Sequence, residues 1–301
     1  LKKFAATWMV LMINARISRA TPVIVQGITG RAGRQHTHLM RRYGTNIVAG
    51  VSPKSSAREV DGIPVFADCA SAVAATGATT CVTFVGAYDL LAAIKEAVAA
   101  GVRYIVTPTE GMPVHNALAA KEVVSQANVV WVGASTPGMA VAGEAKLGFL
   151  PEASLLPGRL GLMSKSGTLS YEAGFRLAQH GVGTSVWIGV GGDSVKGVRY
   201  ADLVPFFAAD EATDALLVIG EIGGHEEEEF AAALVAHKFA KPVFALIAGR
   251  TAPVGIAMGH AGALVHGTHG TFGAKKAALE DAGAVVFDSL GNMVQGISRW
   301  E

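Results

Sequence analysis

The chain of 301 residues is half apolar (50%), and its 25 basic and 24 acidic side chains leave a net charge of +1. That length exceeds one ordinary α/β core, so two domains are expected, each able to bury its own interior. A near-neutral balance without any long Lys/Arg run excludes a nucleic-acid backbone or an anionic membrane as the main partner.

Two cysteines, Cys69 and Cys81, are too few and too far apart for a disulfide framework or a CxxC metal site. No metal site is expected, and two reduced thiols fit a cytoplasmic protein. Residues 1–20, "LKKFAATWMVLMINARISRA", are basic, acid-free and apolar from Phe4 to Ile13. That run is too short to span a bilayer. An N-terminal extension outside the fold is expected, with a mitochondrial-matrix transit peptide as the alternative. No later stretch is apolar for long enough to be a membrane helix.

From Pro22 onward, short Val/Ile-rich runs alternate with longer Ala-rich segments of helical period, the pattern of β-α units on parallel sheets. "PVIVQG", "NIVAGV", "TTCVTFV", "RYIVTPT" and "VVWVGA" read as strands, and Arg34 to Tyr43, Cys69 to Ala75, Asp89 to Ala100 and Val114 to Gln126 as helices. "GEAKLGFLPEASLLPGR" has no clear period and reads as a linker or crossing segment. The first domain is therefore placed at residues 21–150 and the second at 151–301. In the second, "RLGLMSKSG", "TSVWIGVGG", "ALLVIGEIGG", "PVFALIAG" and "GAVVFDS" read as strands, with helices starting near Thr168, Tyr200, Glu226, Gly273 and Leu290.

Three segments carry chemical signals. Gly27-Ile28-Thr29-Gly30-Arg31-Ala32-Gly33 follows a strand and precedes a helix, a glycine spacing that brings backbone N–H groups against a phosphate. A dinucleotide site places an acid about 20 residues on to hold the ribose, but here "AGVSPKSSAR" supplies Lys54 and Arg58 instead. Those cations suit a ligand with an extra phosphate, either NADP or coenzyme A, and two solvated loop charges give the same pattern. Ser164-Lys165-Ser166-Gly167-Thr168-Leu169 is a strand end leading into a helix through small hydroxyl residues. It is an ordinary N-cap and also an anion site. In "IGEIGG", Glu221 ends an otherwise apolar strand, at the sheet edge where α/β proteins place ligands.

A fourth segment, "AMGHAGA", sets His260 among Ala and Gly. Small neighbours leave room for something bulky and charged, although a turn histidine is the commoner reason for such a setting.

Taken together, "GITGRAG", "DGIPVF", "AVAATGAT", "TEGMP", "SKSGTLSYE", "IGVGGD", "VIGEIGG" and "MGHAGA" resemble, in order, the α subunit family of succinyl-CoA synthetase and related ADP- or GDP-forming acyl-CoA ligases. The resemblance runs from about Pro22 to about Gly283. It implies an α/β chain with a Rossmann-like CoA-binding domain and a flavodoxin-like ligase domain, both on parallel sheets. It also implies that His260 is the phosphorylated histidine. Gly27, Thr29, Gly30 and Gly33 would cradle the CoA phosphates, and Ser52, Pro53 and Lys54 would flank its nucleotide end. Glu110 would face the histidine, Ser166, Gly167 and Thr168 would receive the phosphoryl group, and Glu221 would orient the ring. ATP or GTP, with Mg, would sit on an ATP-grasp β subunit.

The chain departs from the family's pattern on the CoA side. Ser52-Pro53-Lys54-Ser55-Ser56-Ala57 stands where "TPGKGG" is usual, and Gly133-Ala134-Ser135-Thr136-Pro137-Gly138 where "GPNCPG" is usual; Pro253 to Ala257 lack basic residues common there. A paralogue acting on an acid other than succinate fits these changes. Two rivals are an NADP-dependent reductase, which gives Glu221 and His260 no task, and a non-catalytic CoA-binding module.

Overall fold

The Val/Ile-rich run after Thr21 forms strand β1 (Val23–Gln26), buried along its whole length. In the computed structural model, residues 16–53, 55–252, 263, 265 and 270–300 are described. They divide into two units, Leu1–Leu150 with Val195–Gly197, and Pro151–Ser194 with Val198–Glu301.

In the first unit β1 is followed by α1 (Arg31–Tyr43), β2 (Ile47–Val51), β3 (Glu59–Val60), β4 (Ile63–Phe66), α2 (Cys69–Thr76) and β5 (Thr80–Thr83). Then come α3 (Leu90–Ala99), β6 (Tyr104–Thr107), α4 (Val114–Gln126), β7 (Val130–Gly133), β8 (Gly138–Val141) and β9 (Ala145–Gly148). The sheet runs β3-β4-β2-β1-β5-β6-β7, parallel except for the β3–β4 pair. Counting only its parallel strands, this is the doubly wound order 3-2-1-4-5-6, whose direction reverses beside β1. Ile24, Val51, Cys81, Ile94, Ile105 and Trp131 form the core against it. Each large apolar side chain there contributes about 1.5–3 kcal/mol by burial.

The second unit contains β10 (Pro157–Ser164), α5 (Gly167–Gln179), β11 (Thr184–Gly189), α6 (Tyr200–Ala209) and β12 (Ala215–Glu221). It continues with α7 (Glu226–Ala236), β13 (Val243–Ala248), α8 (Phe272–Asp281), β14 (Val285–Phe287) and α9 (Leu290–Ile297). Its parallel strands run β14-β13-β12-β10-β11. This is the flavodoxin-like order 2-1-3-4-5, with the switch point between β10 and β12.

The structure corrects two sequence expectations and adds one hairpin. The segment read as a linker or crossing segment holds β9, which pairs antiparallel with β8, and Pro157 already begins β10. Lys146 misleads there, because its stem is buried and its ammonium donates to Leu150 O at 3.0 Å. The hairpin β3–β4 in "EVDGIPVF" was not expected; it turns on Asp61 and Gly62, both at positive φ, as a two-residue Asp-Gly turn requires. Helix α1 begins at Arg31 rather than Arg34, because Gly30 is its N-cap and the glycine turn runs directly into it.

Among the described residues no helix is long and apolar enough to cross a membrane. His260, Lys54 and residues 1–15 lie outside the described residues.

Candidate functional site

At the carboxyl end of β1 the chain turns at Gly27, whose φ is +76°, and a Cβ there would lie 2.4 Å from Phe84 O. Gly33 is needed for the same turn, since a Cβ on it would stand 2.1 Å from Gly27 O. The turn therefore packs against its own helix, and Gly30 caps α1 without any side-chain hydrogen bond. The first N–H groups of such a helix have no partner within it and carry the positive end of its dipole. Thr29 Oγ1 lies 2.7 Å from Ser52 Oγ, joining this turn to the one after β2.

Beside the turn is a cavity of about 510 Å³, lined by Gln26, Gly27, Ser52, Val85, Asp89 and Glu96 among others. Its size falls in the range of small-molecule sites, roughly 300–1,000 Å³. Gln26 ends the apolar strand β1 and is buried. Its Nε2 donates to Ala93 O and to Glu96 Oε2, both at 3.0 Å, and its Oε1 accepts from Thr83 Oγ1 at 2.9 Å. Glu96 Oε1 accepts from Cys69 N at 3.0 Å. Cys69 and Cys81 are unpaired thiols, and burial pushes Cys81 up to about 12 and Cys69 higher still. They belong to the buried core and are not nucleophiles. Glycines that leave the backbone bare, a helix N-terminus with no side-chain cap and a polar cavity at the switch point fit a phosphorylated ligand.

In the second unit, β10 and β12 are parallel neighbours, with Ser164 in register with Ile219. Their carboxyl ends carry the turn Ser166–Thr168 and Glu221, so both lie at the same sheet edge, flanking the switch point. Ser166 is the N-cap of α5, and its Oγ accepts from Leu169 N at 3.2 Å. The N–H groups of Gly167 and Thr168, in the first turn of the helix, remain for an anion. Ser164 Oγ braces the turn by donating to Ser166 O at 2.8 Å and accepting from Ser166 N at 3.0 Å.

Glu221 is 7% exposed. The residues after it are fixed on two sides: Ile222 N donates to Ala248 O at 3.1 Å and Gly223 N to Gly270 O at 2.7 Å. Ala248 ends β13 and Gly270 precedes α8. Ala248 and Gly270, which flank His260 in the chain, are thus both attached beside Glu221.

Under this edge is a buried charge cluster that the sequence reading passed over. Lys165 Nζ donates to Glu227 Oε1 at 2.8 Å and lies 3.5 Å from Glu226 Oε2. Lys275 is paired with Glu227 Oε2 and, at 3.1 Å, with Glu228 Oε2. Burial works against the charge of Lys165, but Glu227 and Glu226 outweigh it and raise its pKa. Burial likewise opposes ionisation of Glu227, and the two lysines overcome it and hold that carboxyl below its ordinary value. The sequence places only a helix start near Glu226, and the packing of α7 shows that Glu227 points inward.

Of the residues singled out in the sequence, Gly27, Ser52 and Pro53 line the cavity. Thr29 touches Ser52, while Gly30 and Gly33 shape the turn. Arg58 is exposed and stands outside the cavity lining. Glu110 is exposed on the loop after β6 in the first unit. Ser166, Gly167, Thr168 and Glu221 share one edge of the second. Gln26 was missed, although it carries the signal that singled out Glu221: a polar residue closing an apolar parallel strand. No metal-holding cluster occurs among the described residues.

Residues 18–111 match the CoA-binding domain family and residues 163–285 the CoA-ligase family. A Rossmann-type CoA-binding fold and a flavodoxin-like CoA-ligase fold in one chain define an acyl-CoA ligase component, of the class that forms carbon–sulfur bonds. The chain is 44% identical over 285 residues to the ADP-forming succinate–CoA ligase subunit alpha of Aquifex aeolicus, covering 94% of this chain and 93% of that one. It is 40% identical over 267 residues to the malate–CoA ligase subunit alpha of Methylorubrum extorquens, covering 87% and 90%. The ATP citrate lyase of Methanosaeta concilii, solved with (3S)-citryl-CoA, superposes with a TM-score of 0.85 at 23% identity. That match covers 96% of this chain but 51% of the lyase, so this chain spans about half its length. The chain belongs to the alpha-subunit family of succinate–CoA ligases.

Proposed function

We propose that this chain is the alpha subunit of a ligase that joins a small carboxylic acid to CoA, using ATP or GTP, through a phosphohistidine at His260. The observation that carries the reading is the convergence at the switch point of the second unit. A helix N-terminus at Ser166–Thr168 and a buried Glu221 lie side by side, and Ala248 and Gly270, which flank His260 in the chain, are both attached next to Glu221.

A carboxylate cannot accept a thiol directly, because the leaving group would be oxide. It must first become an acyl phosphate. His260, as a neutral ring, would take the γ-phosphoryl group from the nucleotide, forming an N–P bond and releasing the nucleoside diphosphate. The acid's oxygen would then take that group from the ring, and the CoA sulfur would attack the acyl carbon and expel inorganic phosphate. Glu221 would accept a hydrogen bond from one ring nitrogen and so leave the other free to attack. The N–H groups of Gly167 and Thr168 would bind the phosphoryl oxygens, each on the scale of about 2.7–4 kcal/mol known for anion-hole donors.

Residues 21–150 would hold CoA, on Gly27, Thr29, Gly30, Gly33, Ser52, Lys54 and Arg58, and residues 151–301 would carry the phosphoryl chemistry. An ATP-grasp β subunit would supply the nucleotide and its Mg²⁺; that partner is supported by the relatives' being alpha subunits. The compartment would be the cytoplasm, supported by bacterial and archaeal relatives and two unpaired thiols. Relatives acting on malate and sulfoacetate make the acid itself an open choice among small carboxylic acids.

The test is incubation of the chain, with and without the partner subunit, with labelled ATP or GTP. An acid-labile, base-stable label should appear only with the partner, vanish in His260→Ala, and be discharged by CoA plus the right acid. A label that survives in His260→Ala sinks the assignment, and screening acids for discharge identifies the substrate.

A further inference from the structure

One carboxylate bridges three described segments beside the proposed phosphoryl site, and the chemistry above gives it no task. Glu227 is completely buried. Its Oε1 accepts from Lys165 Nζ at 2.8 Å and from the main-chain N–H of Glu221 at 3.2 Å, while its Oε2 accepts from Lys275 Nζ. Lys165 immediately precedes the Ser166–Thr168 turn. Lys275 lies in the first turn of α8, the helix that follows the His260 segment, and also donates to Gly224 O at 3.2 Å. Space for this arrangement is made at Gly220, where a Cβ would stand 2.6 Å from Glu227 Oε1.

A buried ion cluster is a poor device for stability alone, because well-packed apolar groups of the same size usually serve as well or better. What it does provide is geometry. Apolar contacts tolerate sliding, whereas a carboxylate shared by two ammonium groups and an N–H fixes three chain segments at once.

We propose that Glu227 is a positioning residue for phosphoryl transfer: its carboxylate locks the main chain of Glu221 and the Lys165–Thr168 turn into one frame, anchored through Lys275 to the stem of the His260 segment. This role rests on the phosphohistidine function proposed above. Glu227 acts through Glu221 and the turn.

The test uses the complex with the partner subunit and the variants Glu227→Gln and Gly220→Ala. Glutamine keeps one acceptor oxygen but turns an NH₂ toward a lysine, so it cannot hold both Lys165 and Lys275. Alanine at 220 leaves every charge in place and pushes the carboxylate away from Glu221. Single-turnover labelling of His260 should slow by roughly 10- to 100-fold in both, the scale of a misplacement of about 1 Å. The nucleotide KM and the CoA affinity should stay unchanged, and the Glu221 amide should exchange hydrogen about 10-fold faster, as expected when one local bond is lost. Should Glu227→Gln fail to fold, the charge-conserving Gly220→Ala decides by the same readings. Variants that melt lower but label His260 at the wild-type rate overturn this role alone. Absence of label in the wild-type complex overturns the phosphohistidine function and this role with it.

Discussion

Thr29 Oγ1 and Ser52 Oγ lie 2.7 Å apart and so join the turn after β1 to the turn after β2. Both turns face the first unit's switch point, where Ser52 lines the cavity. Thr29→Val and Ser52→Ala each remove the same hydrogen bond, worth about 0.5–1.5 kcal/mol. CoA affinity, measured by calorimetry, should fall by roughly 2- to 10-fold in either variant, and the double variant should be no worse than the weaker single one. Additive losses would show that the two hydroxyls act separately.

Gly33→Ala should damage the first unit out of proportion to one methyl group. The added carbon would meet Gly27 O at 2.1 Å, a main-chain atom that cannot swing aside. Overpacking of this kind costs about 1–3 kcal/mol, and the distorted turn should also weaken CoA. Gly273→Ala is the control, because nothing stands within 4 Å of its Cβ position and it lies inside α8. It should leave stability equal or raise it by about 0.4–1 kcal/mol. Equal melting temperatures for the two variants would refute the close approach at Gly33.

Replacing Lys54 and Arg58 together by Ala should raise the Kd for CoA more than that for its dephosphorylated analogue. The expected difference is roughly 10-fold, the scale of one charge-assisted hydrogen bond of about 1.5 kcal/mol. Equal weakening of both ligands would remove these cations from the site. Arg58 stands outside the cavity lining, so the single variants should show Lys54 carrying most of the effect.

The Lys165–Glu227 pair should limit the pH range of the second unit from both ends. Glu227 has its folded pKa below the ordinary 4.5, so its contribution is present above that value and is lost as pH falls through the depressed pKa. Lys165 has its folded pKa above the ordinary 10.5, so its contribution is complete below that value and is lost as pH rises through the raised pKa. Melting temperature against pH should therefore fall below about pH 4.5 and above about pH 10.5. In Glu227→Gln the alkaline fall should shrink, because Lys165 without its principal counter-charge is no longer held above its unfolded pKa. An unchanged alkaline limb would mean that the pair does not exist.

The sequence by itself determined the alternation of strand and helix, the glycine turn after β1 and the hydroxyl turn before α5. Each is a local matter, set by apolar period, by missing Cβ atoms and by capping oxygens within a few residues. It also marked Glu221, because a lone carboxylate closing an apolar strand is visible without any neighbour. Tertiary structure decided which of these lie together. The Ser166–Thr168 turn and Glu221 become neighbours only because β12 pairs with β10 across an intervening strand and two helices, and a parallel sheet brings successive carboxyl ends to one edge. The same is true of Glu227, Lys165 and Lys275. In the chain they are ordinary charged residues on helix starts and turns, indistinguishable from solvated ones. Their burial follows from the packing of α7 and α8 against the sheet, and a charge is costly enough to bury that its partners can be identified only once the neighbours are known.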